Sequence, residues 1–133
     1  RLLRQRRKAM PQPVNREVIV FSSAARTATE NSADIDNPYG RGAVLVIDVT
    51  SVTSTPSVVF TVKGKSALGS DYYTILASAA ITGTGQTVLR IYPGLTASAN
   101  VTASDVLPRT WRVEAAHADT DSITYSVSAN LIV

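Results

Sequence analysis

The only histidine of the chain, His117, stands close to two acids, Asp119 and Asp121. An imidazole beside a carboxylate is the pair that supplies an oriented general base in many hydrolases. However, a single histidine excludes a multi-histidine metal site, and an Asp-Thr-Asp sequence is typical of a turn in which Asp bonds its own backbone. We therefore predict a histidine at a strand end followed by a turn, and no catalytic pair.

A second cluster has the oxygen chemistry of a cation site. Asp34, Asp36 and Asn37 are near neighbours in the sequence, and carboxylate and amide oxygens are calcium ligands. The regular ligand spacing and the closing Glu of an EF-hand are missing. The segment is therefore interpreted as an ordinary Asx-rich loop, and no metal site is predicted.

Other candidate sites are also weak. Gly64 and the Gly83-Thr84-Gly85 sequence could form phosphate loops, but no helix follows to supply an anion-binding N-terminus, so these residues are interpreted as turn glycines. Trp111 could stack on a sugar, although a lone Trp in a core poor in large aromatics is predicted to be a buried anchor. The scattered acids define no glycosidase carboxylate pair. We predict no enzymatic activity and no cofactor.

The strongest functional signal is a basic arm at the start of the chain. Five of the 13 Lys and Arg residues lie in the first eight positions, with no acid among them: Arg1, Arg4, Arg6, Arg7 and Lys8. The remaining 125 residues hold eight basic against ten acidic residues, so they carry −2 while the whole chain carries +3. The basicity therefore belongs to the arm and not to the domain behind it.

Three interpretations of the arm stay open. It could be a solvated tail, or a nucleic-acid tail, which is disfavoured because the arm has no interleaved aromatics and the domain is slightly acidic. A tether to an acidic protein surface fits better, because several Arg–carboxylate contacts reinforce one another and a short segment can become ordered on docking.

Tyr39, in a polar loop, is predicted to be an exposed aromatic at an interface.

Composition places the rest of the chain among small globular β proteins. The chain has 133 residues, 44% of them hydrophobic, and no cysteine. That length is enough for one domain with a single core, and disulfides are excluded. Its apolar runs are far shorter than the ~20 residues of a membrane helix, so no membrane partner is expected. We predict a basic arm over residues 1–16 and a β domain over residues 17–133.

The sequence after the arm has the pattern of short strands separated by turn residues. We predict strands over 17–23, 42–52, 57–65, 72–80, 87–92, 108–118 and 122–133, with short ones near 26–29 and around Val101. Strands recurring at roughly 8–15-residue intervals without a convincing helix indicate an all-β fold, an antiparallel β-sandwich or jelly-roll-like barrel of seven or eight strands. The last two strands are predicted to form a hairpin.

The alternation of apolar residues also predicts the core. Eight residues are expected to be largely buried: Val46, Phe60, Leu76, Leu89, Trp111, Val113, Tyr125 and Val127. The neighbours Tyr72 and Tyr73 point to opposite faces of a strand, so one is expected in the core and the other in solvent.

Two long stretches carry a resemblance to a known group. They are SSAARTATENSADIDNPYGRGAVLVIDVTSV (22–52) and YYTILASAAITGTGQTVLRIYPGLTASANVTASDVLPRTWRVEAAHADTDSITYSVSANLIV (72–133), above all the part from 89 to 111. This text resembles small structural proteins encoded in the virion gene clusters of tailed bacteriophages. The resembling residues are structural and not catalytic, and the basic arm lies outside them.

The resemblance implies a non-enzymatic virion protein, assembled in the cytoplasm of the host bacterium. It implies a capsid decoration (head auxiliary) protein or a neck or minor tail component. Physical reasoning favours decoration on the outer capsid surface, where the chain would reinforce contacts between subunits of the major capsid protein. A lattice repeats equivalent surfaces, so many modest contacts add up. Self-association is also expected, and a trimer would suit three-fold positions. The alternatives are a neck or minor tail protein and a carbohydrate- or ligand-binding module on the virion.

Overall fold

A computed structural model describes residues 13–133, and within them the chain forms strands joined by turns and loops, with no helix. The strands are β1 (Arg16–Arg26), β2 (Glu30–Asn31), β3 (Ile35–Asp36), β4 (Gly42–Val52), β5 (Val58–Lys65), β6 (Tyr72–Ala77), β7 (Gly85–Ile91), β8 (Thr102–Ala103), β9 (Thr110–His117) and β10 (Ile123–Ile132). The predicted all-β fold is confirmed. Residues 13–133 accordingly contain no helix that could cross a membrane.

The strands form two sheets. The first sheet has the order β1-β10-β4-β7-β8, and the second has the order β2-β9-β5-β6, with β3 also paired to β9. All pairs are antiparallel except the short one between β7 and β8. Seven strands are long and three have two residues, so the prediction of seven or eight strands counted the long strands correctly. The architecture is the predicted β-sandwich.

Strand β4 lies between β10 and β7 and has apolar residues on both faces. Leu45 and Ile47 are fully buried, whereas Val44 and Val46 are half-buried. Side chains alternate between the faces of a strand, so the residues that fill the core leave Val46 on the outer face. The prediction of Val46 as a core residue is therefore wrong.

The other seven predicted core residues are buried: Phe60, Leu76, Leu89, Trp111, Val113, Tyr125 and Val127. The aromatic rings join the two sheets. Phe60 of β5 meets Tyr125 of β10 edge to face, with ring centroids 4.9 Å apart, an arrangement that aromatic quadrupoles favour. Burial raises the pKa of Tyr125 to about 12, so its hydroxyl stays neutral.

The predicted hairpin of the last two strands is wrong. Strand β9 pairs with β5 in the second sheet, and β10 pairs with β1 and β4 in the first. Trp111 and Tyr125 therefore reach the core from opposite sides of the sandwich. Alternation fixes which residues of a strand face inward, but not which strand lies beside it. The turn containing Asp119 and Asp121 carries the chain from one sheet to the other.

Arg26, at the end of β1, ties the two sheets together. Its guanidinium donates to the carbonyl oxygens of Ser22, Ala24 and Tyr125, at 2.9, 3.2 and 3.0 Å. Its Nε lies 2.8 Å from the Glu30 carboxylate in β2. The predicted short strand near 26–29 thus begins later, at Glu30, because Arg26 still belongs to β1.

Candidate interaction surfaces

The side chain of His117 is bound to a core residue of the sandwich. His117 ends β9, and its Nε2 is hydrogen-bonded to the hydroxyl of Tyr125 at 3.1 Å. Burial lowers the pKa of His117, because a low-dielectric environment destabilises the charged imidazolium. Asp119 accepts a hydrogen bond from the backbone N–H of Asp121 at 3.0 Å. The predicted strand-end histidine and Asx turn are therefore present.

The oxygen-rich segment does not converge on one point. Asp34 accepts hydrogen bonds from Tyr72 at 2.7 Å and from Lys65 at 3.0 Å. These two donors hold the pKa of Asp34 below its ordinary value. Asp36 instead pairs with Arg109 at 2.6 Å. Each carboxylate thus has its own cationic partner, as expected of an ordinary loop that packs against the second sheet.

The outer face of the second sheet carries a connected set of charges, here called the charged face: Asp34, Lys63, Lys65, Tyr72, Arg112 and Glu114. Lys63 pairs with Glu114 at 3.0 Å. The guanidinium of Arg112 lies 3.6 Å from the centre of the Tyr72 ring, a cation–π contact. The charges of this face are thus largely matched within the protein.

The prediction that one of Tyr72 and Tyr73 lies in the core is wrong. Tyr72 is half-buried in the charged face, and Tyr73 is 49% exposed. Both lie on β6, at an edge of the second sheet. Tyr73 covers Gly64, where a Cβ would collide with its ring. Gly64 is therefore a packing glycine within β5 and not the predicted turn glycine.

The outer face of the first sheet is different in kind. We call it the valine face, and it comprises Glu17, Ile19, Val44, Val46, Asp48, Gln86, Val88, Arg90, Ser126, Ser128 and Asn130. The register aligns Ile19, Ser128, Val46 and Val88 in one row across four strands. Ile19 is 76% exposed. A large apolar side chain this open to solvent, in a row that also contains Val46 and Val88, is a feature of interaction surfaces.

Three loops meet at the end of the sandwich where β1 begins, and we call this region the loop end: residues 36–41, 66–71 and 105–109. Asn37 is buried and holds two of these loops together, because its Nδ2 donates to the carbonyls of Gly40 at 2.8 Å and Leu107 at 3.2 Å. Arg16 Nη1 donates to the Asp36 carbonyl at 3.1 Å. The chain therefore enters β1 at the loop end.

The loop end exposes apolar side chains. Tyr39 is 62% exposed, as predicted, Leu68 is fully exposed and Val106 is 56% exposed. An open groove of about 450 Å³ lies between residues 65–69 and 108–110. Leu68 is an apolar residue among turn residues, and that position could have predicted its exposure. The alternation of apolar residues along strands does not apply to turns, so Leu68 was missed. Ile19 and the valine face were also missed, because their grouping depends on strand register.

The predicted arm residues lie outside the described residues: Arg1, Arg4, Arg6, Arg7 and Lys8. The structure does describe where the chain beyond them joins the domain. Val133 N donates to the Asn15 side chain at 3.0 Å, which places the chain just before β1 beside the last residue. The arm is therefore connected at the same end of the sandwich as Tyr39.

Fold and surfaces together define a single-domain β-sandwich with one outer face rich in paired charges and one outer face on which apolar and polar side chains are mixed. No family model and no curated protein matches the sequence. Among solved structures, the chain is similar to the SPBc2 prophage-derived protein YomS, with a TM-score of 0.52 and 11% sequence identity. The likeness covers 93% of this chain and 99% of that one. The chain thus shares the fold of a prophage-derived protein along nearly its whole length.

Proposed function

We propose that this chain is a non-enzymatic structural protein of a bacteriophage particle that decorates the outer surface of the capsid. The observation that carries the proposal is the shared fold with a prophage-derived protein, which extends over 99% of that chain. The likeness also covers 93% of this chain, so the shared architecture is that of the whole sandwich. The resemblance of residues 22–52 and 72–133 to virion structural proteins points the same way.

The side chains support a binding role over a catalytic one. Within residues 13–133, the one histidine is engaged with a core tyrosine, and the acids of the 34–36 segment are paired with cations. The features that remain available are surfaces: the valine face, the exposed side chains of the loop end, and the arm. These surfaces support a role in binding other proteins.

The proposed partners are the major capsid protein and further copies of this chain. A basic arm joined at the loop end would bring its arginines to an acidic capsid surface next to Tyr39. Arginine binds carboxylates through paired hydrogen bonds, and tyrosine is enriched at protein interfaces. Repetition over the lattice would multiply each modest contact.

Copy number tests the location. Quantitative gel analysis of purified particles is expected to give hundreds of copies of this chain per particle. A neck or minor tail position would give about a dozen or fewer, because those rings have low cyclic symmetry. Absence from particles would contradict the proposal as a whole.

Truncation tests the arm. Deleting residues 1–12 should leave the sandwich folded, because β1 begins at Arg16, and should weaken attachment to particles. The residual binding should depend less on salt, since exposed charges are screened over about 8–10 Å at physiological ionic strength. Unchanged occupancy of the truncated protein across a salt series would contradict the tether, and binding of free DNA by the full chain would support a nucleic-acid arm instead.

A further inference from the structure

The valine face is a sheet surface with a regular layout. The strands of residues 13–133 make two sheets, and none of them forms a third layer over this face. In one row, Glu17 of β1 aligns with Asn130 of β10, Val44 of β4 and Arg90 of β7. This row therefore carries an acid on one edge strand and a base three strands away. The next row carries Ile19 and Val88 at the same two positions.

We propose that the valine face binds the valine face of a second copy, in a two-fold dimer whose axis runs along the strands between β10 and β4. Such an axis places each residue of β1 opposite the residue of β7 in the same row of the other copy. Glu17 then meets Arg90 of the second copy, and Ile19 meets Val88 of the second copy. Each contact occurs twice, as an isologous interface requires.

The charges of the face support self-association. Glu17 and Arg90 are exposed, and neither forms an ion pair with any residue from 13 to 133. The third charged residue of the face, Asp48, aligns with Ser126 on the neighbouring strand. The same two-fold axis places Asp48 opposite Ser126 of the second copy, whose hydroxyl can donate to it. Every charge on the face thus gains a complementary group.

The shape of the face also fits a second sheet. A depression of about 390 Å³ lies between β1 and β10, lined by Ile19 and Ser128 among others. It would lie opposite β4 and β7 of the second copy, which present the valines. At ~3.3 Å per residue and ~4.8 Å between strands, the three rows and four strands of the face cover roughly 400 Å² per copy. The resulting total of about 800 Å² is smaller than a stable specific interface of about 1,200 Å² and indicates a weak association.

The edge of the sheet is a poorer docking site than its face. The pairing of β1 with β10 is interrupted by irregularities between Ile19 and Phe21 and between Phe21 and Ala24. Bulges of this kind blunt an edge strand against the addition of another strand. Face-to-face stacking at the angle of aligned sheets avoids that obstacle. The proposal deepens the proposed function, on which it rests for its biological setting.

Charge exchange in the purified full-length chain tests the dimer. Analytical ultracentrifugation over a concentration series should show a monomer–dimer equilibrium for the unaltered chain. Glu17→Arg places two arginines in contact at each site, and Arg90→Glu places two glutamates in contact, so each variant should sediment as a monomer. The double variant E17R/R90E restores opposite charges and should recover the dimer. Thr74→Arg, on the exposed part of β6, is the matched control and should leave the dimer unchanged.

Each other outcome overturns the proposal. An unaltered chain that is monomeric at every concentration does so, as does a trimer or a dimer that the single variants leave intact. Loss of the single variants from particles, with a monomeric unaltered chain, would assign the face to the capsid protein instead. The dimer is measured without particles. A monomer therefore leaves the particle location standing, and absence of the chain from particles leaves the dimer standing.

Discussion

The two outer faces of the sandwich differ in whether their charged residues have partners within the protein. The charged face pairs Lys63 with Glu114 and Lys65 with Asp34, so its charges have partners within the protein. The valine face has few charges, and Glu17 and Arg90 lie too far apart in their row to meet. The face with more charge is therefore the more self-sufficient one. Charges matched within one chain suit a surface that stays in water, whereas charges without a partner in their own chain can be complemented by a partner molecule across an interface.

The largest effect is expected from a substitution in the core, because the core supports the sheets that carry both faces. Phe60→Ala deletes a fully buried ring that packs against Tyr125 of the opposite sheet, and should lower the free energy of unfolding by about 3–5 kcal/mol. Chemical denaturation followed by the Trp111 fluorescence measures this loss. Because one core supports both sheets, far-UV circular dichroism should report the same midpoint. Separate transitions for the two sheets would contradict a single cooperative core.

A smaller effect should distinguish the faces. Arg26→Ala removes hydrogen bonds to two carbonyl oxygens of β1 itself and to the carbonyl of Tyr125, which links β1 to β10. The loss should be about 1.5–3 kcal/mol, the range for bonds from a charged donor. Amide hydrogen exchange should accelerate in β1, which carries the edge of the valine face, more than in β5 and β6. Equal acceleration in both sheets would show that Arg26 acts on the whole core. Arg26→Lys keeps the positive charge but loses the planar guanidinium and its several donors, so it should restore little of the lost stability.

The edge of the second sheet gives a third test. Gly64→Ala introduces a Cβ that collides with Tyr73 and Pro108 and should cost about 1–3 kcal/mol through overpacking. Thermal unfolding measures the loss. Gly83→Ala is the matched control, because nothing lies within 4 Å of a Cβ there. If the Tyr73 ring causes the strain, adding Tyr73→Ala to Gly64→Ala should cost less than the sum of the two single losses.

The smallest effect is a pH dependence that reports on both sheets at once. The pKa of His117 is lowered by burial, with a further lowering by Arg26 and opposing contributions from Asp119 and Glu30. The unfolded chain then takes up a proton before the folded one, so stability should fall as pH drops through about 6.5 and level off below the folded pKa. Urea unfolding across this range measures the slope.

The control for this pH effect is His117→Gln, which keeps a polar group beside Tyr125 but does not titrate. The variant should flatten the slope near pH 6 while leaving the acid unfolding caused by carboxylates in place. An unchanged slope would mean that another group is responsible. Relative to the variant, the unaltered chain should lose stability as the pH falls from neutral, because only the unaltered chain carries the titration of His117.

Much of the fold could be predicted because alternation is a local property. The predicted bounds of the strand over 42–52 coincide with β4, and the inward residues of β9 and β10 were assigned correctly. The hairpin was wrong, because a turn between two strands looks alike whether it stays in one sheet or crosses to another. Val46 was misassigned for a related reason: an apolar run such as that of β4 does not reveal which of its two faces meets the core.

The candidate site was predicted in part. Tyr39 stood out as an aromatic in a polar loop, and it is exposed. The segment with Asp34 and Asp36 was interpreted as an ordinary loop, and the structure gives each of these carboxylates its own cationic partner. Ile19 and the valine face could not be found, because their members come from four strands that lie far apart in the sequence. A row such as Glu17 to Arg90 exists only after the register of three strand pairs is fixed.

The sequence by itself determined the class of fold, the long strands, most of the core and the separation of a basic arm from a slightly acidic domain. These follow from composition and from side-chain alternation, which act over a few residues. Only the tertiary structure decided which strands are neighbours, which glycine is needed for packing and which charges meet. Those features depend on long-range pairing, where a shift of one residue exchanges the two faces of a strand. The contrast between the charged face and the valine face is therefore a product of register.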